Sequence, residues 1–131
     1  MRLTRLCICL FAGCLLLTHN STAQEVDVAV WNGHWIGDGT LFEIRVEVEN
    51  GIIRIHQIES MGFIWTSKDG NIDGNIARVE VEYAGATGII QAELVDNETA
   101  IAFAASCVPD FMVVCALAKD RQAVFKKIPA N

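Results

Sequence analysis

The run KDGNIDGNIARVE, residues 68–80, carries oxygen-bearing side chains at the spacing of a calcium loop. Asp69, Asn71, Asp73, Gly74 and Glu80 meet the pattern D-x-[DN]-x-[DN]-G-x5-E at every specified position. In such a loop the Asp and Asn side chains supply oxygens, the glycine makes the sharp turn, and the glutamate closes the shell bidentately. That glutamate reaches the ion because a helix follows the loop. Here Val79, Val81 and Tyr83 alternate with Arg78, Glu80 and Glu82, which is a strand pattern. A strand rises about 3.3 Å per residue and carries Glu80 roughly 16 Å beyond Asn75, out of reach. The segment is also a tandem DGNI, and Asp-Gly is favoured where a turn needs positive φ. Turn chemistry, as two turns or one turn with a bulge, is the reading taken here. What remains for calcium is a loop-only site on Asp69, Asn71 and Asp73, with affinity of about 0.1–1 mM. No other cofactor is expected.

Other reactive residue types lack the spacing that chemistry needs. His34 and His56 stand in no ligand pattern such as H-x3-H or H-E-x-x-H. Glu43, Glu47, Glu49, Glu80 and Glu82 fall on alternating segments that turn them outward together, a solvated acidic face. No G-x-S-x-G and no glycine-rich phosphate loop before a helix occurs, and no cysteine has a neighbouring histidine. An enzyme is therefore the least supported class. Cys107 and Cys115 pair as a disulfide and tie the loop Val108–Val114, with Phe111 and Met112 at its tip, into a candidate contact surface. Trp31, His34, Trp35, Phe63 and Trp65 are the candidate ligand-binding residues, expected at one end of the fold. Asn97-Glu98-Thr99 is a glycosylation sequon where the host glycosylates secreted proteins.

The elements that must position these residues begin after a leader. Arg2 and Arg5 precede an apolar run, Leu6 to Leu17, and Ser21-Thr22-Ala23 fits small-residue cleavage. Residues 1–23 read as a signal peptide and 24–131 as a single β domain. An alternative is a lipoprotein anchored at Cys14, since Phe11-Ala12-Gly13-Cys14 is similar to a bacterial lipobox. The apolar run is shorter than the ~20 residues of a membrane span, so no integral span is expected in the mature chain. Cleavage removes Arg2 and Arg5 and no acid, leaving 8 basic and 16 acidic residues, net −8. That balance argues against nucleic acid and against anionic membrane surfaces. A secreted or periplasmic address also favours the Cys107–Cys115 bridge.

Within the domain, a period of two dominates. Phe42, Ile44, Val46 and Val48 interleave with Glu43, Arg45, Glu47 and Glu49, and Asn50-Gly51 then leads into Ile52–Ile58, a hairpin signature. Residues 78–83, 90–94, 99–107, 112–118 and 123–128 supply further β-rich segments. Turns are expected at Asp38-Gly39, Asp69-Gly70, Ala84-Gly85, Asp96-Asn97 and Pro109-Asp110. The expectation is all-β, an antiparallel up-and-down meander of about eight strands, as a small barrel or, alternatively, a β-sandwich.

Gly33-His34-Trp35 near the mature N-terminus resembles the G-x-W of calycins, the lipocalin, fatty-acid-binding and avidin-like barrels. The resemblance implies an up-and-down barrel whose Trp packs across the floor against a basic residue from a late strand. Arg121, just before Ala123-Val124-Phe125, is the arginine in that region. A second lipocalin block and the biotin-contacting set of avidins are absent. The functional expectation is a secreted or periplasmic barrel that binds an unknown small molecule without chemistry. The alternative is an extracytoplasmic interaction module, such as an inhibitor or envelope accessory protein, acting through the Cys107–Cys115 loop. The intact mass of the exported protein is expected to place its first residue at Gln24; a start at Cys14 with added lipid mass would replace this assignment with the lipoprotein.

Overall fold

Alternating inward and outward residues build a closed meander. The computed structural model describes residues 26–131; the proposed signal peptide and the lipobox-like Cys14 lie outside them. A 3-10 turn over Val28–Trp31 leads into β1 (Gly33–Gly37), β2 (Glu43–Glu49), β3 (Ile52–Glu59), β4 (Trp65–Ser67) and β5 (Gly70–Asp73). Strands β6 (Ile76–Tyr83), β7 (Ala86–Asp96) and β8 (Thr99–Val108) follow. A short helix, α1 (Val113–Ala118), precedes β9 (Gln122–Lys127). All pairings are antiparallel, and β9 returns to pair with β1, with Trp35 opposite Lys127 and Gly37 opposite Phe125. That pairing resolves the choice between sandwich and barrel. The ring runs β1-β2-β3-β5-β6-β7-β8-β9, and β4 extends the same edge of β6 beyond β5.

Turn chemistry fixes most of the register. Asn50 and Gly51 have φ of 52° and 75°, and Ala84 and Gly85 of 52° and 81°, matching the primed turns that suit twisted strands. The first half of DGNIDGNI departs from expectation. Asp69-Gly70 makes no turn, because Gly70 already begins β5 and pairs with Ile53. A Cβ on Gly70 would sit 2.2 Å from the carbonyl oxygen of Arg78, so glycine serves close strand approach there. The second half turns as expected, with Gly74 at φ 57° between β5 and β6. Residues 112–118 also differ: they form α1 rather than a β segment. Met112 O accepts from Cys115 N at 3.0 Å and Ala116 N at 3.2 Å. The bridge back to Cys107 requires the chain to reverse within eight residues, which overrides the β preference of Val113 and Val114.

One end of the barrel is a packed floor. Trp35, 2% exposed, donates its indole N–H to the Trp31 carbonyl at 2.9 Å, and Trp31 donates to Gly74 O at 3.1 Å. Their rings lie 6.1 Å apart between centroids. Trp31 belongs to the 3-10 turn that precedes β1. The basic residue across Trp35 is Lys127 rather than Arg121. Lys127 Nζ lies 5.6 Å from the Trp35 ring centroid and donates to Val30 O at 2.6 Å. Gly33 makes this possible: its φ is +128°, and an added Cβ would stand 3.0 Å from Lys127 Cε. The glycine and tryptophan of Gly33-His34-Trp35 thus act together through one lysine stem.

Lys127→Met keeps the stem and removes the charged donor. It is expected to lower stability by about 1–3 kcal/mol, from a lost charge-assisted hydrogen bond and cation–π contact. An unchanged denaturant midpoint would show that the floor is held by the tryptophans alone.

Candidate functional site

The barrel encloses a cavity of about 620 Å³. Its volume follows from small residues on one wall. Ala77 pairs with Ala92, Ala92 with Ala102, and Ala102 with Ala123, a row of alanines across β6, β7, β8 and β9. All four line the cavity, as do Ala100 and Ala104. The facing wall is bulky, with Trp35, Ile44, Val46, Ile53 and Ile55. An eight-stranded barrel is just wide enough for side chains to fill it, so a wall of alanines leaves room for one small ligand.

The floor end of the cavity is shut by Trp31 and Trp35. The opposite end opens between the β1–β2, β3–β4, β6–β7 and β8–β9 connections. Aromatic residues gather there: Phe42 lies 5.9 Å from Trp65 and 6.2 Å from Phe125, and Phe63 sits edge-on to Tyr83 at 5.7 Å. Trp65 donates its indole N–H to Ser60 Oγ at 3.1 Å. With the floor tryptophans also satisfied, the interior offers a ligand apolar surface. The mouth is different. Arg121 is the one charged residue lining the cavity, and Gln122 and Tyr83 are its polar neighbours.

The residues singled out by sequence divide accordingly. Trp31, Trp35, Phe63 and Trp65 all line the cavity. They do not share one end: the first two form the floor and the last two the mouth. His34 is not part of the site. It alternates with Trp35, faces outward, and holds Glu43 with 2.8 Å between Nδ1 and Oε1. The glutamates also stay off the cavity surface. Glu47 meets His56 at 2.9 Å and is paired with Arg45, and the His56 contact, then Arg45, holds its carboxyl below the usual range. The backbone N–H of Glu98 does the same for Asp96 in the β7–β8 turn.

Calcium-loop residues are placed on a hairpin. Asp69 accepts from Arg54 Nε at 3.0 Å and Glu80 meets Lys68 at 2.7 Å, so both terminal carboxylates have cationic partners. Asn71 and Asp73 lie on β5, exposed, opposite Arg78 and Ile76. Among the described residues no three His, Cys, Asp or Glu side chains cluster as a metal site.

Cys107 and Cys115 are bridged, with Cα atoms 5.5 Å apart. The bridge pins α1 to the end of β8 at the mouth, where Ala118 lines the cavity. Phe111 projects into solvent, 81% exposed, whereas Met112 packs its Cε near Gly85 of the β6–β7 turn. Sequence reasoning missed Ala102 and its row, Arg121 as a mouth residue, and Tyr83. The alanine signal was present as the alternation Ala100, Ala102, Ala104. No helix among the described residues is long and apolar enough to cross a membrane. The outer barrel face carries Arg45, Glu47, Arg54, Arg78 and Glu82, the reverse of the apolar band around a membrane-spanning barrel.

No protein-family model matches this chain, and no curated protein or solved structure matches it either.

Replacing both Cys107 and Cys115 by Ser is expected to cost about 2–3 kcal/mol, from loop-closure entropy of a short loop. The β circular dichroism should persist, because the barrel seam does not depend on the bridge. Loss of the β spectrum, or an unchanged melting temperature, would contradict this role.

Proposed function

We propose that this protein is a non-catalytic binder that holds one small apolar molecule inside its barrel. The observation carrying the reading is the alanine row opposite a bulky wall, which leaves a 620 Å³ space of apolar lining. That size lies in the range of small-molecule pockets, about 300–1,000 Å³. Burial of apolar ligand surface supplies the affinity, at about 25 cal/mol per Å² before the cost of immobilisation. Chemistry is not part of the reading, since Tyr83, Gln122 and Arg121 face the opening without an acid–base partner among the described residues.

Eight-strand closure, Gly33 and Trp35 in the G-x-W, and Lys127 across the Trp35 ring support placing the chain with the calycin-like barrels. The Cys107–Cys115 bridge supports an oxidising compartment, hence a secreted or periplasmic protein. A second reading has its own observation. Phe111, Val113 and Leu117 are 81%, 73% and 61% exposed on the tethered segment, an apolar face for an extracytoplasmic protein partner.

A neutral fluorophore such as N-phenyl-1-naphthylamine tests the first reading. It should bind with one site, and Ala92→Phe with Ala102→Phe should weaken it by about tenfold or more while the fold is kept. Binding that survives the filled barrel would place the probe on the outer apolar face, and the second reading would stand in its stead.

A further inference from the structure

The barrel is not paired all the way round. Strand β5 meets β3 only at Ile52 and Ile53, and β4, which continues along the same edge of β6, is paired with β6 alone. The cause is the segment between β4 and β5. Lys68, Asp69 and Gly70 face only Val79 and Glu80, between the pairs Ser67–Val81 and Asn71–Arg78. An extra residue on one strand is a bulge, which bends that strand, and here it carries β4 away from β3. Asp69-Gly70, which makes no turn, thus opens a slot in the wall. Few Cα atoms of β3 come within 8 Å of β4. Paired strands stand about 4.8 Å apart, and one added strand between them needs about twice that.

Both lips of the slot offer free backbone groups. The run Arg54–Glu59 of β3 pairs with β2 on one side, and among the described residues no backbone hydrogen bond joins it to β4 on the other. Lys68 N bonds to Glu80 O at 3.0 Å, so the alternate residues Ser67 and Trp65 turn their N–H and C=O groups toward the slot. The Trp65 carbonyl agrees with this: it accepts from Gln57 Nε2 at 2.8 Å, a side-chain amide in the place of a strand N–H. No proline or lysine within Arg54–Glu59 blunts the edge. Ile58 and Ile64 beside it are 49% and 87% exposed. On the inner side Ile55, Phe63, Trp65 and Val81 line the cavity, so the slot opens onto apolar surface.

We propose that the slot between β3 and β4 binds an extended segment of another protein as an added strand, with alternate apolar side chains turned into the barrel. Such strand addition takes affinity from main-chain hydrogen bonds and specificity from pockets for every second side chain. A single peptide fits better than a second copy of this chain, because β4 stands across the slot and keeps a folded sheet edge from reaching β3. The free run of β3 also has the ordinary length of one strand, about 5–6 residues. Inward side chains of the segment meet Ile55 and Trp65, and outward ones lie between His56 and the exposed Thr66. The partner is therefore an amphipathic β segment, apolar and polar by turns. Backbone at the two lips makes the site, so it goes beyond the small-molecule reading and does not depend on it.

Three peptides test this by calorimetry and amide hydrogen exchange on the purified protein. They are KTVTVTVTK, the block-patterned KTTVVVTTK of the same composition, and KTVTVTVTK N-methylated at each valine, which strips the donors from one edge. The alternating peptide should bind at one site and slow exchange at residues 54–59 of β3 and 65–67 of β4. Each altered peptide should bind about tenfold or more weakly, from lost ladder bonds. Ser67→Pro removes one slot-facing N–H and leaves the β6 ladder intact, so it should weaken binding about tenfold with little change in melting temperature. Equal affinity for the three peptides, protection confined to other strands, or no binding of the alternating peptide at about 1 mM would overturn the site. If Ser67→Pro does not fold, the peptide series alone decides.

Discussion

The structure depends on a short seam. An up-and-down barrel exists only if its last strand finds its first, and here those strands are Gly33–Gly37 and Gln122–Lys127. Three register pairs join them, flanked by Asp38 N to Val124 O and Ile128 N to His34 O, both 2.8 Å. So few ladder bonds leave the register underdetermined, and a slip by one residue would turn every inward side chain outward. Lys127 removes that freedom. Its amine must reach Val30 O while its stem crosses Gly33 and its charge lies over Trp35. Only one register satisfies all three. Were the seam open, β1 and β9 would each expose a row of unpaired backbone groups, and the cavity would have no fourth wall.

Closure alone does not make a cavity. With leucine or isoleucine at positions 77, 92, 102 and 123, the same backbone would hold a filled core. Filling space with larger apolar side chains is the ordinary source of stability, worth about 2–5 kcal/mol for each Leu in place of Ala at a well-packed site. The barrel forgoes that along β6–β9. Its bulky side chains lie in the opposite wall and floor, where Trp31, Trp35, Val46 and Ile53 are 2–4% exposed and pack in one cluster with Ala77, Val79 and Ala100. Large side chains stand on one side of the cavity and a row of small ones on the other. Such a division keeps the space open, because a uniformly loose interior would collapse onto itself.

Sequence pattern carried the architecture further than the site. Period-two alternation and Asn50-Gly51 located β2 and β3 closely, since local rules act on adjacent residues. Gly33-His34-Trp35 pointed to the floor. It could not show that Lys127 crosses Trp35, because that contact joins residues 92 apart and depends on where β9 starts. Arg121 is basic too but lies six positions too early, at the other end of the strand. The Asp69-Gly70 turn failed because glycine has two uses, and close approach to Arg78 O outweighed turn formation. Helix α1 was hidden because a covalent tether, rather than periodicity, imposes it. The cavity was legible only in retrospect: alternating alanines on β8 become a row of space once their cross-strand partners are known to be alanines too.

The two ends of the barrel are held by different forces. Hydrogen-bonded indoles and a half-buried lysine stem fix the floor. The mouth has the Cys107–Cys115 bridge and edge-to-face aromatics, with Phe63 itself half exposed against Tyr83. The bridge ties α1 to the end of β8, and Ala118 and Arg121 lie on the rim. Exposed side chains change rotamer within picoseconds to nanoseconds, whereas loop displacement takes nanoseconds to microseconds. Phe63, half exposed at the rim, is of the first kind. A rim tied by a covalent bridge has little conformational entropy to lose, which is the general advantage of preorganisation.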